Sequence, residues 1–370
     1  MADQKKILHI ANWLGMGGAE KLIAETLPRY QKAGLDTELL LTTDISTPLR
    51  TELEQSVKIH TLPYKSFYDI RIVFRLIPFF KEYDLIHVHL FPPQYFVVLA
   101  KILSKSSVPM VFTEHSTSNR RMQKKLFKLP ERFVYKHYQK IICITDRVMQ
   151  NLKEHIASSS KNRLTIIENG VDLGKIDSAH KFERQELNKN LKHSDVLLIQ
   201  VSSFQEPKDQ QTVIRALEFL PDHVKLILAG EGHLREESER LVNQLELQNR
   251  VVFLGVRTDV PRLLKTADFI ILSSKYEGLS LSSVEGMACG RPFIAADVPG
   301  LREVVGGAGV LFPSGNASVL AAKISDLLQS QSYYDTIVDQ CKERSQKYNI
   351  NVMVEKHLEL YKQLLQHRNP

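Results

Sequence analysis

SSKYEGLSLSSVEGMACG, Ser273 to Gly290, continues the apolar run FIILSS (Phe269–Ser274). That run reads as a buried parallel strand, and the chain then turns at Glu277-Gly278. Ser280, Ser282 and Ser283 are residues that cap exposed N–H groups, and Val284, Met287 and Ala288 follow at helical spacing, so a helix is expected to start here. A strand, a glycine turn and a helix N-terminus form a natural anion site, because free N–H groups and the helix dipole point the same way. Two carboxylates bracket it, Glu277 at the turn and Glu285 about two helical turns on. Carboxylates are poor phosphate ligands and good acceptors for sugar hydroxyls. The stretch therefore points to a pocket for a nucleotide-sugar.

The surrounding chain has the layout such a strand needs. In the second half, apolar runs alternate with helical patterns: VLLIQVSS from Val196, KLILAGEG, VVFLG, FIILSS, PFIAADV and GVLFP. In the first half KKILHIANW (Lys5–Trp13) leads into LGMGGAEK and a helix to about Ala33. Strands are expected at Thr37–Thr43, Lys58–Leu62, Leu85–Leu90, Pro109–His115 and Lys140–Thr145, mostly with helices between them. Both halves thus read as doubly wound α/β domains, whose ligands bind at the carboxyl edge of the strands. The best boundary is the polar stretch Leu173–Ser194, read as helical with little apolar content. Three amphipathic helices are expected at the end, about Ala317–Gln329, Ser332–Lys347 and Val352–His367. The expected domains are 1–172 with 350–370 crossing back, and 173–349.

Composition excludes the disordered and fibrous classes: 43% of the 370 residues are apolar and 25% charged. The net charge of +7 is unevenly spread. Residues 1–170 carry 25 Lys and Arg against 16 Asp and Glu, whereas residues 171–370 carry 24 against 26. A basic first half suggests an anionic partner: membrane phospholipid, a phosphorylated lipid carrier or nucleic acid. Nucleic acid is disfavoured, since no recognition fold or aromatic stacking motif accompanies the charge. The densest basic segment is Asn119–Lys140, with eight Lys and Arg and one acid. Met122, Leu126, Leu129, Phe133 and His137 fall near helical spacing there, and Pro130 must start or kink a helix. It reads as a membrane-surface element or as an ordinary helix with a solvated basic face. Three widely spaced cysteines (Cys143, Cys289, Cys341) make no disulfide or zinc framework and fit a reducing cytoplasm. No signal peptide is expected, because Met1–Lys6 runs straight into a strand, and no apolar run approaches the length of a membrane span.

Four further features carry chemistry or imitate it. Gly15, Gly17 and Gly18 allow close backbone approach to a ligand, or only a tight turn. His87 and His89 alternate on one strand face, but no Cys, Asp or Glu cluster completes a metal site, so wall or core histidines are expected. His115 closes the strand MVFTEHS, as a site residue or as a turn residue. No D-x-D sequence occurs, so a metal-clamped diphosphate is not indicated, and no metal or other cofactor is expected.

GGAEK (Gly17–Lys21), His115, ENGVD (Glu168–Asp172), Lys208 in VSSFQEPKD, AGEG (Ala229–Gly232), LGVRTDVPRLL (Leu254–Leu264) and the opening stretch through Val305 together resemble one family. It is the retaining glycosyltransferases of the glycogen-synthase-like, GGxE-containing group with the GT-B architecture. Glu277 and Glu285, eight apart, match that group's E-x7-E motif. The resemblance implies two facing Rossmann-like domains, the second holding the nucleotide-sugar (UDP-linked by family habit) and the first the acceptor. It implies that Glu285 binds the ribose and that Lys208 meets the diphosphate. Glu277, with the N–H groups of Gly278, Leu279, Ser280 and Leu281, would address the donor sugar and phosphates. Gly17 and Gly18 would lie near phosphate and acceptor, and His115 by the transferred sugar. The chain departs from the pattern at Ser203, where an arginine is expected; Arg257 or Arg302 is a candidate substitute. The implied activity is transfer of a sugar to a glycan or lipid-linked acceptor at the cytoplasmic membrane face. A soluble epimerase or glycogen-type synthase of the same architecture, or a non-catalytic homologue, are the alternatives.

Overall fold

The computed structural model describes residues 4–15, 17–115, 127–156 and 162–366. The chain divides into two compact units, Met1–Gly170 with Ile350–Pro370, and Val171–Asn349.

Among the described residues, the first unit holds a seven-stranded parallel sheet. Its strands are β1 (Lys6–Ala11), β2 (Asp36–Leu41), β3 (Ile59–Thr61), β4 (Leu85–His89), β5 (Met110–Glu114), β6 (Lys140–Cys143) and β7 (Leu164–Ile166), in the order β3-β2-β1-β4-β5-β6-β7. The strand order reverses between β1 and β4, so the crevice for a ligand opens beyond their carboxyl ends. The glycine loop and the helix Gly18–Lys32 follow β1 there. The strands read clearly in sequence because parallel strands are buried on both faces and become near-continuous apolar runs. β7 escaped that reading: it has three residues, LTI, none of them fully buried.

The helix Ile350–Gln366 belongs to this first unit. Ile350, Met353, Val354, Leu360 and Tyr361 join the core cluster that contains Leu22, Ile23 and Tyr30. Each large apolar side chain fully removed from water stabilises by about 1.5–3 kcal/mol, so this helix is an integral layer of the unit. Gly170 N–H reaches Met353 Sδ at 3.2 Å, and Tyr361 Oη lies 2.5 Å from His87 Nδ1.

The second unit holds a six-stranded parallel sheet among the described residues: β8 (Val196–Val201), β9 (Val224–Ala229), β10 (Val251–Gly255), β11 (Phe269–Leu272), β12 (Phe293–Ala296) and β13 (Val310–Phe312). The order β10-β9-β8-β11-β12-β13 reverses between β8 and β11. The loops after these two strands, Ser202–Lys208 and Ser273–Ser280, are therefore brought side by side from about seventy positions apart. Val171 N–H donates to the carbonyl of Tyr348 at 2.8 Å, so the chain enters and leaves the unit at neighbouring points.

One expectation is corrected here. Leu173–Ser194 is not a helical stretch: it forms two short helices, Leu173–Asp177 and Arg184–Leu187, joined by irregular chain. Too few apolar residues recur to bury one face of a long helix, and polar contacts hold the segment instead. Arg184 forms an ion pair with Asp268 at 2.9 Å, and Phe182 N–H donates to Thr266 Oγ1 at 2.8 Å.

Candidate active site

In the second unit the site is built on two buried polar residues that sit in otherwise apolar strand context. Gln200 is the polar member of β8, VLLIQV, and Ser273 directly follows β11; both are buried. Gln200 Nε2 donates to the carbonyl of Lys208 at 2.9 Å. Ser273 Oγ lies 3.0 Å from the same carbonyl, 2.7 Å from that of Asp209 and 2.9 Å from Gln200 Oε1. Lys275 N–H donates to the carbonyl of Pro207 at 2.7 Å. These bonds fix the short turn Glu206–Lys208, which Asp209 closes in the left-handed conformation (φ +46°). They aim the Lys208 side chain at the neighbouring loop.

Lys208 Nζ reaches Glu277 Oε1 at 2.5 Å, and Ser274 Oγ donates to the same oxygen at 2.7 Å. Both charged side chains are largely buried, the state in which an ion pair is screened least. The turn carrying Glu277 is backed by Gly300, whose φ is +89°. A Cβ added at Gly300 would lie 2.3 Å from the carbonyl oxygen of Glu277 and 2.5 Å from that of Gly278. Only glycine fits there.

Ser280 then caps the helix Leu281–Ala288, its hydroxyl accepting from Ser283 N–H at 3.3 Å. The N–H groups of Ser283 and Val284 also find the carbonyl of Ser280. Those of Leu281 and Ser282 have no acceptor one turn earlier in the helix and are the natural anion ligands. Glu285 is half-buried one turn further on, beside Ser282, Val201 and Val260. The result is one cation, one carboxylate paired to it, a helix N-terminus and a second carboxylate. Such a set has the chemistry to meet a diphosphate and hydroxyl groups together.

Arg257 and Arg302 are engaged elsewhere. The Arg257 guanidinium forms a two-pronged bond with Asp259 at 2.8 and 2.5 Å, which raises its pKa, and it lies over the Phe182 ring. Arg302 pairs with Asp297 at 2.5 Å on an exposed surface. At Ser203 the main chain matters: its carbonyl accepts from Gln210 Nε2 at 2.9 Å. Gly230 of the AGEG stretch (φ +144°) passes so close to this loop that a Cβ would lie 2.0 Å from the carbonyl oxygen of Ser202.

In the first unit Gly17 is the N-cap of the helix Gly18–Lys32, and the Glu20 carboxylate folds back against it. His115 directly follows β5. It is the end of a chain of imidazoles that the sequence reading did not assemble. His9 Nδ1 lies 3.0 Å from His89 Nε2, and His89 Nδ1 lies 3.4 Å from His115 Nε2. His87 sits beside them, held by Tyr361 Oη and by Thr113 Oγ1 at 2.7 Å. Burial lowers the pKa of His115 to about 4, of His9 to about 3 and of His357 to about 4, and holds those of His87 and His89 well below the usual value. All five rings are neutral at pH 7, so each offers one donor and one acceptor. A small cavity of about 20 Å³ meets His89, Thr113, His115 and His357. The only sequence signal for His9 was a polar residue inside the apolar run KILHIA.

His9, His87 and His89 bring ligand atoms within 4.8 Å of one another. Both nitrogens of His87 are engaged by hydroxyl groups, while His9 and His89 bond each other. A dication there would be buried with no counter-charge among the three rings. The cluster reads as a hydrogen-bonded core.

The two parallel-sheet α/β units have the GT-B architecture. The chain aligns with Anabaena HepE in complex with UDP and glucose at a TM-score of 0.82, with 22% identity, over 97% of this chain and 100% of that one. Residues 16–175 match the model "Glycosyltransferase Family 4", and residues 181–353 match "Glycosyl transferases group 1". The chain is thus a member of the glycosyltransferases, carrying these two domains in succession. An uncharacterized glycosyltransferase of Methanocaldococcus jannaschii is 29% identical over 274 residues, 72% of this chain and 71% of the relative. The Escherichia coli UDP-Gal:alpha-D-GlcNAc-diphosphoundecaprenol alpha-1,3-galactosyltransferase is 25% identical over 317 residues, 80% of each chain.

Proposed function

We propose that this protein transfers a sugar from a nucleoside-diphosphate sugar, UDP-linked, to a glycan or lipid-linked diphosphate acceptor, with retention of anomeric configuration and without a metal. The observation that carries the reading is the Lys208–Glu277 pair beside the N-terminus of the helix Leu281–Ala288, at the switch point between β8 and β11. As the glycosidic bond breaks, negative charge grows on the leaving diphosphate. Lys208 and the amides of Leu281 and Ser282 are preorganised to meet it. Glu277, already oriented by Lys208 and Ser274, accepts from a donor-sugar hydroxyl, and Glu285 accepts from the ribose hydroxyls. For His115 the family resemblance implies a role beside the transferred sugar. Arg257 keeps its place as a candidate donor contact only if it leaves Asp259. The acceptor attacks from the face the diphosphate leaves, with no protein nucleophile assigned.

A lipid-linked acceptor is supported by the Escherichia coli relative, whose own acceptor is a diphosphoundecaprenol. It is also supported by the surface of the first unit. The helices Arg71–Leu76, Pro93–Ser104 and Lys128–Tyr135 pack side by side. They expose Phe74, Leu99, Leu103, Leu129 and Phe133, with Leu129 75% exposed. Arg71, Arg75, Lys105, Lys128, Arg132 and Lys136 accompany these side chains. Apolar residues rimmed by cations suit the inner face of an anionic membrane. Of the basic segment Asn119–Lys140, residues 119–126 lie outside the described residues. No described helix is long and apolar enough to cross a membrane.

The test is calorimetric titration with UDP-sugars, followed by transfer to a polyprenyl-diphosphate sugar. Glu285→Ala is expected to weaken donor binding tenfold or more, in line with losing a charged hydrogen bond worth about 1.5–3 kcal/mol. Unchanged affinity rejects the site.

A further inference from the structure

A second polar pocket lies at the opposite edge of the second sheet. The donor loops follow the carboxyl ends of β8 and β11; this pocket sits before the amino ends of β11 and β12. It is about 390 Å³ in volume. Four cations from four separate elements meet in it. They are Lys181 from the segment between the helices Leu173–Asp177 and Arg184–Leu187, Lys265 from the helix Val260–Thr266, Arg291 from the turn into β12, and Lys342 from the helix Gln331–Gln346. His180 lines it too, and Asp177 is the one acid in its wall.

The second unit carries slightly more acids than bases, and six of its cations form ion pairs: Arg184 with Asp268, Lys208 with Glu277, Arg235 with Glu231 and Glu239, Arg250 with Asp222, Arg257 with Asp259, and Arg302 with Asp297. Among the described residues none of Lys181, Lys265, Arg291 and Lys342 has a carboxylate within ion-pair distance. Lys265 Nζ donates instead to the main-chain carbonyl of Asp177 at 2.6 Å. Arg291 reaches the carbonyl of Lys265 at only 3.4 Å, and its Nε is buried with no hydrogen-bond partner. Gly290 (φ +73°) opens the floor, so that the Lys342 stem lies against its backbone where a side chain would stand. Like charges collected in a concave, partly desolvated wall with an orphaned guanidinium N–H are the signature of a missing counter-anion.

We propose that this pocket binds a diphosphate-bearing ligand, at a site distinct from the donor loops. Four cations less one carboxylate match a group of about three negative charges, and the volume exceeds what one phosphate fills. The same chemistry is presented by a free nucleoside diphosphate and by the head of a lipid diphosphate. The inference does not rest on the donor reading, since the pocket shares no residue with Lys208, Glu277 or Glu285.

The test is calorimetric titration of the full chain with inorganic pyrophosphate, with and without saturating UDP. Lys208→Gln serves as a background that removes the donor-site cation. Binding of one equivalent that survives both UDP and Lys208→Gln is expected, and it should weaken steeply with salt. The variant K265Q/R291Q/K342Q should weaken it at least tenfold while leaving UDP affinity within twofold. K181Q/K342Q, which alters two exposed side chains only, should weaken it severalfold and guards against misfolding. Flotation with phosphatidylglycerol vesicles carrying a polyprenyl diphosphate separates the sources. Capture lost in K181Q/K342Q assigns the lipid head, and unaltered capture with weakened pyrophosphate binding assigns the soluble ligand. Pyrophosphate binding abolished by UDP or by Lys208→Gln, or unaffected by the pocket variants, overturns the proposal.

Discussion

Gly300→Ala perturbs the donor loop without touching any group assigned to the chemistry. The added methyl would lie 2.3 Å from the carbonyl oxygen of Glu277 and 2.5 Å from that of Gly278, both backbone atoms. A φ of +89° is also strained for any residue with a Cβ. The conformational penalty is about 1–2 kcal/mol, and forcing a methyl into a packed contact costs about 1–3 kcal/mol more. The sum, about 2–5 kcal/mol, can be released in two ways. If the loop holds, the second unit loses that much stability, read as a lower urea midpoint at constant slope. If the loop yields, the Glu277–Gly278 turn moves by about 1 Å, the Lys208–Glu277 bond lengthens, and turnover falls by up to about 10²-fold. Urea unfolding and UDP-sugar calorimetry on one preparation distinguish the routes. A variant unchanged in both, within about 0.5 kcal/mol and twofold in affinity, would refute the claim that Gly300 backs the donor loop.

Lys208→Ala should lower the single-turnover transfer rate by about 10²–10³-fold, the effect of deleting one preorganised charge stabiliser, and an unaltered rate would remove Lys208 from the chemistry. The imidazole cluster sets an acid limit on the first unit. The folded pKa values of His9, His115 and His357 lie at about 3, 4 and 4, below the 6.5 of a free histidine. As pH falls the unfolded chain therefore takes up protons first. The stability contributed by these neutral rings is complete above pH 6.5 and is lost progressively from there down to about pH 4. Each ring costs about 1.4 kcal/mol per pH unit in that window. Urea midpoints at pH 7.5, 6.5 and 5.5 read the slope, and a flat profile would contradict the buried cluster.

Part of this site was legible before any fold was known. The strand Phe269–Leu272, the turn at Glu277-Gly278 and the cap at Ser280 are local. Apolar runs, glycine turns and serine caps act on their immediate neighbours, so sequence order carries them. The eight-residue spacing of Glu277 and Glu285 was equally open to reading. Local pattern failed where packing had the deciding vote. Leu173–Ser194 lacks an apolar face, and its short helices are held by Asp268 and Thr266, some eighty residues away. Arg257 looks available in the sequence, but Asp259, two residues on, takes the Nε–Nη2 edge of its guanidinium.

Local pattern specifies the alternation of buried strands and helices in two units, and a helix N-terminus flanked by two carboxylates. What those carboxylates meet depends on contacts between strands far apart in the chain. Lys208 reaches Glu277 because β8 and β11 are neighbours where the strand order reverses, and Gln200 and Ser273 lock the lysine turn from beneath. His115 gains its partners because β1, β4 and β5 stand close in one sheet, which lines up His9 and His89 behind it. Strand order is settled by long-range burial, a global minimum that no window of adjacent residues contains.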